Sequence, residues 1–297
     1  MTVDGRCNFC GAAVSVATDR LWRKDGLDIV RCTGCGLVFR ASPPTAPGVA
    51  AIYGDDYFSS SAGDTRGQGY ADYLGEEDAH RLNARARLDR LAQAGFRGGK
   101  LLDVGCAAGF FADEARRGGF EVAGIEVSAT MARCARERFG LDVWQGAFLD
   151  APLAEGSFDV VTMWDYIEHS IDAAGDLSRA AALLRSGGLL ALSTGDAASP
   201  VARLSGRRWH LLTPRHHNYF FTEPTLRAYL AQVGLEAISV SRPPSLYSVT
   251  YLAYKLRTLA DVALLRAAAD FLAGSRLGQA RVRVNLWDIM TVIARKP

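Results

Sequence analysis

The sequence has no long apolar run, and its positive and negative charges nearly cancel. No uninterrupted apolar run reaches the roughly 18 residues that a membrane-spanning helix needs. The 34 basic and 32 acidic side chains leave a net charge of +2, which gives no overall electrostatic reason to expect a nucleic-acid partner. The first ten residues, MTVDGRCNFC, lack the apolar core of a signal peptide. We therefore expect a cytoplasmic protein without a transmembrane segment.

Two common nucleotide-binding motifs are missing from the glycine-rich stretch DVGCAAGF at residues 103–110. Ala107 and Phe110 stand where the dinucleotide motif G-x-G-x-x-G has its second and third glycines. No Gly-Lys-Ser/Thr follows, so the stretch is not a P-loop either. What remains is an acidic residue and two glycines, and these glycines allow the backbone to approach a ligand closely.

Strands and helices are predicted to alternate from residue 100 onward. The predicted strands are 100–104, 121–126, 142–145, 158–164, 188–194, 235–241 and 286–294, and the predicted helices are 76–94, 109–118, 128–139, 173–186 and 222–233. This alternation is typical of a parallel sheet with helices on both faces. We expect a cysteine-containing module at 1–45, a linker and helical cap at 46–98, and an α/β domain at 99–297 with a helical insertion at about 243–284.

Polar or glycine-rich residues follow four of these predicted strands. The loop 103–109 follows the first strand, and Glu126 ends the second, where a carboxylate can accept both hydroxyls of a ribose. Gly146, Ala147 and Phe148 follow the third strand, and the fourth runs into WDYIEH at 164–169. Because ligands of open α/β sheets bind beyond the carboxyl ends of the strands, these features predict one binding site.

Taken together, DVGCAAG, the acidic residue of GIEVS, GAFLD, and FDVVTMWDYIEH followed by LLRSGGLLAL resemble the class I methyltransferases that use S-adenosylmethionine. The resemblance covers about residues 76–241 and the final strand. It implies a doubly wound, Rossmann-like sheet of seven strands whose last strand is antiparallel. It also implies methyl transfer to an oxygen or nitrogen acceptor, with carbon as an alternative, on a small molecule, natural product or glycan.

The resemblance assigns cofactor roles by position. The methionine part of S-adenosylmethionine would lie against the loop 103–109, and Glu126 would bind the ribose. The four residues from Val127 to Phe148 in the list below would surround the adenine. Trp164 and Asp165 would close the site beside the methyl group. In chain order these residues are Asp103, Gly105, Cys106, Ala107, Gly109, Glu126, Val127, Met131, Ala147, Phe148, Trp164 and Asp165.

The DYIEH sequence supplies the candidate catalytic residues Asp165, Glu168 and His169. His169 lies beyond the fourth strand, and an unperturbed imidazole suits proton abstraction near neutral pH. A helix-capping role is the alternative for His169. The three side chains also suit a second divalent metal, completed by a later histidine of PRHHNYF, because similar clusters are metal sites in some methyltransferases of small RNA ends and quinone precursors.

The segment WHLLTPRHHNYFF at 209–221 is dense in aromatic, histidine and arginine residues and follows the fifth strand. We expect it to roof a substrate pocket. Its candidate substrate contacts are Trp209, His210, Arg215, His216, His217 and Tyr219. The Leu- and Ala-rich insertion that follows suits a lid, a homodimer face or a helix on a membrane surface.

The chain begins with two cysteine pairs, Cys7/Cys10 and Cys32/Cys35, each with the spacing C-x2-C. Four thiolates match tetrahedral Zn²⁺ and leave no open position, so the expected zinc is structural. An iron–sulfur site and redox pairs are the alternatives. The stretch RCTGCGLVFRASPP resembles the zinc ribbon of some bacterial methyltransferases of secondary metabolism and glycan modification.

Two other functions fit the same residues. A ribbon can guide a methyltransferase to RNA or protein, although the near-neutral charge and the absence of an N-P-P-Y-type tetrapeptide after the fourth strand disfavour this. A non-catalytic module that only binds the cofactor is the other alternative. The intact loop and Glu126 favour an enzyme.

Overall fold

A computed structural model describes residues 4–45, 58, 72–259, 271–272, 275 and 277–297. Most of the predicted linker after residue 45 and the middle of the predicted insertion lie outside the described residues. The domain boundaries stay predictions.

The elements are numbered in chain order. The strands are β1 Asp4–Arg6, β2 Ala13–Ser15, β3 Arg20–Lys24, β4 Leu27–Arg31, β5 Val38–Arg40, β6 Gly99–Val104, β7 Phe120–Glu126, β8 Asp142–Gln145, β9 Phe158–Trp164, β10 Leu184–Gly195, β11 Tyr219–Phe220, β12 Glu236–Ser241, β13 Ser245–Ser248, β14 Arg281–Val284 and β15 Ile289–Arg295. The α-helices are α1 Val16–Asp19, α2 Glu77–Gln93, α3 Phe110–Arg117, α4 Ala129–Phe139, α5 Ala173–Leu183, α6 Pro200–Ser205, α7 Glu223–Gln232 and α8 Val249–Leu259.

The central sheet has seven strands in the order β12-β15-β10-β9-β6-β7-β8. β6 to β10 are parallel, and β15 pairs antiparallel with both β10 and β12. The predicted seven-stranded, Rossmann-like sheet with an antiparallel last strand is therefore confirmed. One predicted helix was too long: α5 ends at Leu183, and Leu184 already pairs with Phe158 in the sheet. The following Gly187 has φ +78°, which does not continue a helix.

Helices cover both faces of this sheet. Leu102 and Val161 pack with α5 and α7 on one face, whereas the neighbouring Leu101 and Val160 pack with α2 and α3 on the other. Successive residues of a strand point to opposite faces, so apolar residues at consecutive positions indicate a strand that is buried on both sides. The helix predicted to begin at Thr222 does so, with the Thr222 hydroxyl accepting a hydrogen bond from the backbone of Thr225.

The N-terminal module has its own four-stranded sheet, in the order β11-β5-β4-β3. Three of its strands come from residues 20–40, but the fourth comes from far along the chain. In this strand Tyr219 pairs with Phe39 and Phe220 pairs with Val38. The module and the segment predicted to roof the substrate pocket therefore share one sheet.

The insertion before β15 contains the predicted helical structure as α8. It also contains a two-stranded antiparallel pair, β13 with β14, at its base. The Asn83 side chain of α2 exchanges two hydrogen bonds with the backbone of Leu246, which attaches β13 to α2. No described helix has both the length and the apolar character needed to cross a membrane.

Candidate active site

The loop after β6 has a backbone that only small residues fit. Gly105 and Gly109 have φ values of +73° and +84°. A Cβ at Gly105 would lie 2.7 Å from Tyr166 Cδ2, and one at Gly109 would lie 2.6 Å from Leu141 Cδ1. The two glycines therefore hold a tight turn between β6 and α3, at the carboxyl edge of the sheet.

Glu126 ends β7 and connects this loop to the start of α4. Its carboxylate accepts hydrogen bonds from the backbone N–H groups of Ala107, at 2.8 Å, and Ser128, at 2.7 Å. The side chain is buried, and burial raises the pKa of Glu126 above its usual value. The two amides hold the carboxylate at the edge of the sheet where a ribose is expected.

Asp103 is the second-last residue of β6 and is buried among the central strands. It accepts a 2.7 Å hydrogen bond from the Thr162 hydroxyl of β9. Burial raises the pKa of Asp103 to about 7, although the Thr162 bond favours the charged form. The carboxyl therefore changes its charge near neutral pH.

The other predicted cofactor contacts lie around the same edge with different exposures. Cys106, Met131 and Phe148 are buried, Val127 is half-buried and Ala147 is exposed. Their roles toward a cofactor stay predictions.

Asp165 connects the end of β9 to two other elements. Arg87 of α2 donates a 2.7 Å hydrogen bond to Asp165 Oδ2, and the Ser193 hydroxyl of β10 donates a 2.8 Å bond to Oδ1. Arg87 Cζ also lies 4.7 Å from the ring centroid of the buried Trp164. Sequence reasoning missed Arg87, because a charged residue in an amphipathic helix has no distinguishing pattern.

Glu168, His169 and His217 bring their potential ligand atoms within 4.8 Å of one another. His169 Nδ1 lies 3.0 Å from the His216 carbonyl, and His217 Nδ1 lies 2.8 Å from the Leu211 carbonyl. Carbonyl oxygens only accept, so both Nδ1 atoms carry the proton and both Nε2 atoms present lone pairs. This pattern is typical of metal-binding histidines.

Glu168 fits a cation as well. It is buried, its Oε2 has no hydrogen-bond partner within the described part of the chain, and burial raises its pKa to about 8. Asp165 lies outside this group of three, because Arg87 and Ser193 donate hydrogen bonds to its carboxylate. The catalytic and metal-binding roles of Asp165, Glu168 and His169 stay predictions. Burial also lowers the pKa of His169 to about 4, so it is a weaker base than an unperturbed imidazole.

Several side chains of the segment 209–221 contact other parts of the fold. Trp209 is buried and its indole N–H donates a 2.9 Å hydrogen bond to Asp288 Oδ2, with His210 Nδ1 at 3.5 Å from the same oxygen. The Tyr219 hydroxyl donates to the Ile171 carbonyl at 3.2 Å, and Arg215 is exposed. Substrate contact stays a prediction for this segment, and the sequence did not single out Asp288.

The four N-terminal cysteines form one cluster. The Sγ atoms of Cys7 and Cys35, and those of Cys10 and Cys32, lie 3.5 Å apart. The two knuckles repeat one backbone pattern, since Gly11 donates to the Cys7 carbonyl and Gly36 donates to the Cys32 carbonyl. Both of these glycines have positive φ. Four thiols with all Sγ atoms within 4.8 Å match the tetrahedral ligand set of a zinc ribbon.

Comparison with known proteins identifies the family. A family model described as a methyltransferase domain matches residues 76–240. The ubiquinone biosynthesis O-methyltransferase of Caulobacter vibrioides is 36% identical over 168 residues, which cover 51% of this chain and 66% of that relative. The enzyme of the same name from Xanthomonas oryzae is 31% identical over 207 residues, 61% of this chain and 86% of the relative.

Two solved structures share the fold at low sequence identity. One is the 1,6-didemethyltoxoflavin-N1-methyltransferase of Burkholderia thailandensis, with a TM-score of 0.52 at 17% identity, covering 94% of this chain and 99% of that one. The other is the magnesium protoporphyrin IX methyltransferase of Synechocystis, with a TM-score of 0.51 at 16% identity, covering 82% of this chain and 97% of that one. The chain belongs to the class I methyltransferase family, and it is an S-adenosylmethionine-dependent methyltransferase with an N-terminal zinc ribbon.

Proposed function

We propose that this enzyme transfers the methyl group of S-adenosylmethionine to an oxygen of a small-molecule acceptor. The main support is the arrangement of Asp103, the 105–109 loop and Glu126 at the carboxyl edge of the sheet, beside the cluster of Glu168, His169 and His217. The relatives named O-methyltransferases favour oxygen over nitrogen or carbon.

The cofactor's polar groups are assigned to two buried carboxylates. Glu126, already held by two backbone amides, accepts the ribose hydroxyls. Asp103, near the end of β6 and two residues before Gly105, balances the ammonium group of the methionine part. Burial raises the pKa of Asp103 to about 7 in the cofactor-free protein, and a neighbouring ammonium group would lower that pKa and favour the ionised carboxylate. Catalysis by this fold then depends on alignment of the acceptor oxygen with the methyl carbon.

A divalent cation is the second part of the proposal. Glu168 provides a carboxylate oxygen, and His169 and His217 provide Nε2 atoms, a set that suits a borderline metal such as Zn²⁺, Mn²⁺ or Fe²⁺. When bound there, the cation would lower the pKa of an acceptor hydroxyl. The two carbonyls that accept from the Nδ1 atoms orient both rings toward it.

The decisive experiment is native mass spectrometry of the purified protein together with its metal content. One zinc per chain supports the structural ribbon. S-adenosylhomocysteine that copurifies with the protein, or that binds when it is added, supports the enzyme. A second metal that is lost in the His217→Ala variant supports the cation site. A screen with methyl-labelled cofactor against phenols, amines, RNA and protein then tests the acceptor class. Label transferred only to RNA or protein would contradict the small-molecule assignment.

A further inference from the structure

Two neighbouring residues hold the backbone of the turn that carries Glu168 and His169. The backbone N–H of Asn218 donates to the Glu168 carbonyl at 2.7 Å. The Asn218 amide group donates to the carbonyls of His169 and Ser170, at 3.0 and 3.1 Å. The Tyr219 hydroxyl donates to the Ile171 carbonyl. Residues 218 and 219 thus satisfy four consecutive carbonyls of this turn.

Asn218 suits this position because of its shape and burial. It is 3% exposed, and a side-chain amide offers two donors on one planar group. Two carbonyls that point the same way from an irregular turn need such a donor, since no helix or strand satisfies them. An aspartate of the same size would replace the donors with acceptors.

The same residue is attached to the zinc ribbon. Asn218 directly precedes β11, the fourth strand of the ribbon sheet, and its carbonyl accepts a 2.8 Å bond from the backbone N–H of Arg40. Arg40 ends β5, which begins three residues after Cys35. The position of Asn218 is therefore set by a strand whose start is fixed by the cysteine cluster.

A second contact leads from the first cysteine knuckle to the far end of the turn. Asn8 lies between Cys7 and Cys10. Its amide donates to Asp172 Oδ1, and its oxygen accepts from the backbone N–H of Ala174, both at 2.9 Å. Asp172 is the N-cap of α5, so Asn8 binds the first turn of that helix. Both ends of the segment 168–174 are thus held by the ribbon.

We infer that Asn218 and Asn8 are positioning residues through which the zinc ribbon fixes the geometry of Glu168 and His169. Zinc at the four cysteines then determines whether the turn holds the two side chains toward His217. The effect of this positioning on catalysis rests on the proposed cation site. The positioning of Glu168 and His169 by the two asparagines does not depend on a bound cation.

The test uses protein labelled with ¹⁵N-histidine, whose five histidines give a simple spectrum. The ring ¹⁵N shifts report which nitrogen of His169 and His217 carries the proton. Asn218→Asp and Asn218→Ala are compared with wild type, and Asn285→Asp, which loses a side-chain bond to the Arg242 carbonyl, is the matched control. Zinc content and affinity for S-adenosylhomocysteine are measured for each variant.

We expect both Asn218 variants to keep one zinc and a cofactor affinity within about twofold of wild type, while the His169 and His217 ring signals shift or broaden. Affinity for added Mn²⁺, measured on zinc-loaded protein, falls about tenfold in Asn218→Asp, the size of loss typical when an outer partner of a metal ligand is removed. Asn285→Asp leaves the ring signals and the Mn²⁺ affinity unchanged.

The zinc-dependent part is tested by Asn8→Ala, which keeps the cysteines, and by zinc removal with a chelator and a reductant. Each should change the same two histidine signals. If the zinc-free protein loses cofactor binding and unfolds, Asn8→Ala decides alone. Wild-type ring signals in Asn218→Asp and in Asn8→Ala would overturn the inference. Shifted signals in a protein that never binds Mn²⁺ would support the positioning role and refute only the cation site.

Discussion

Arg87 on α2 donates a 2.7 Å hydrogen bond to the Asp165 carboxylate at the end of β9. Asp165 has a positive φ of +52°, an uncommon conformation for an aspartate, and its backbone N–H also donates to Ser193. The ion pair thus attaches a helix that precedes the sheet to a strained residue at the candidate site. Helix α2 is therefore part of the wall of the site.

The pair should contribute little to stability, because the Arg87 and Asp165 side chains are 28% and 46% exposed. We expect Arg87→Ala and Asp165→Asn to show a coupling energy of about 0.5 kcal/mol in a double-mutant cycle measured by urea unfolding. Methyl transfer should fall by a larger factor than this energy explains. A coupling energy several times larger, with unchanged turnover, would make the pair purely structural.

Removal of the Glu126 carboxylate should weaken cofactor binding. Glu126→Ala loses the acceptors for the ribose and frees the Ala107 and Ser128 amides, so affinity for S-adenosylhomocysteine should fall at least about tenfold. Calorimetric titration measures this, with Glu121→Ala as the control, since Glu121 lies on the same strand with its side chain 74% exposed. Equal affinities for the two variants would remove Glu126 from the cofactor site.

Cofactor affinity should depend on pH through Asp103. The folded, cofactor-free protein has a pKa of about 7 for Asp103, raised by burial from an ordinary value of 3.8. Because the folded protein holds this proton more tightly than the unfolded chain, protonated Asp103 stabilises the fold. This contribution is complete below pH 3.8 and is lost as the pH rises through about 7. A cofactor ammonium favours the ionised form, so its binding should tighten as pH rises from 6 to 8.

The check is the dissociation constant of S-adenosylhomocysteine at several pH values. Asp103→Asn should bind more weakly at pH 8 and show a flatter profile, because it has no carboxyl to ionise. A wild-type profile that is flat between pH 6 and 8, or identical in Asp103→Asn, would separate Asp103 from the ammonium group.

The cation cluster predicts different consequences for two adjacent histidines. His217→Ala removes an Nε2 ligand, whereas His216→Ala keeps the backbone carbonyl that accepts from His169. We expect turnover to fall about 100-fold in His217→Ala and considerably less in His216→Ala, without a matching change in cofactor affinity. If turnover falls further in His216→Ala than in His217→Ala, the imidazole that matters for catalysis is that of His216, outside the cluster.

The sequence predicted the central sheet well because its strands are buried on both faces and end in distinctive residues. Apolar runs such as Leu101-Leu102 and Val160-Val161 can be recognised from the local sequence alone. Glu126 was also predicted correctly to end a strand. The spacing of the four cysteines also predicted correctly that they form one cluster.

What the sequence did not reveal are pairings between distant segments. No local pattern indicates that the backbone of Tyr219 and Phe220 completes the ribbon sheet, because this pairing joins segments about 180 residues apart along the chain. The low pKa of His169 likewise follows from burial that only the folded chain creates. Arg87 and Asp288 act through partners that lie far away in sequence.

This shared sheet changes what is expected when the ribbon is damaged. Cys32→Ser should lose zinc, because three thiolates leave the tetrahedral site incomplete. A chain trimmed to begin at about residue 46 also removes the partners of β11 and exposes the buried Phe220 and Trp209. We therefore expect the trimmed chain to bind S-adenosylhomocysteine but to melt well below the full chain and to aggregate. Thermal unfolding of both chains with and without the cofactor product measures this, and equal melting temperatures would mean that the methyltransferase domain folds independently of its ribbon.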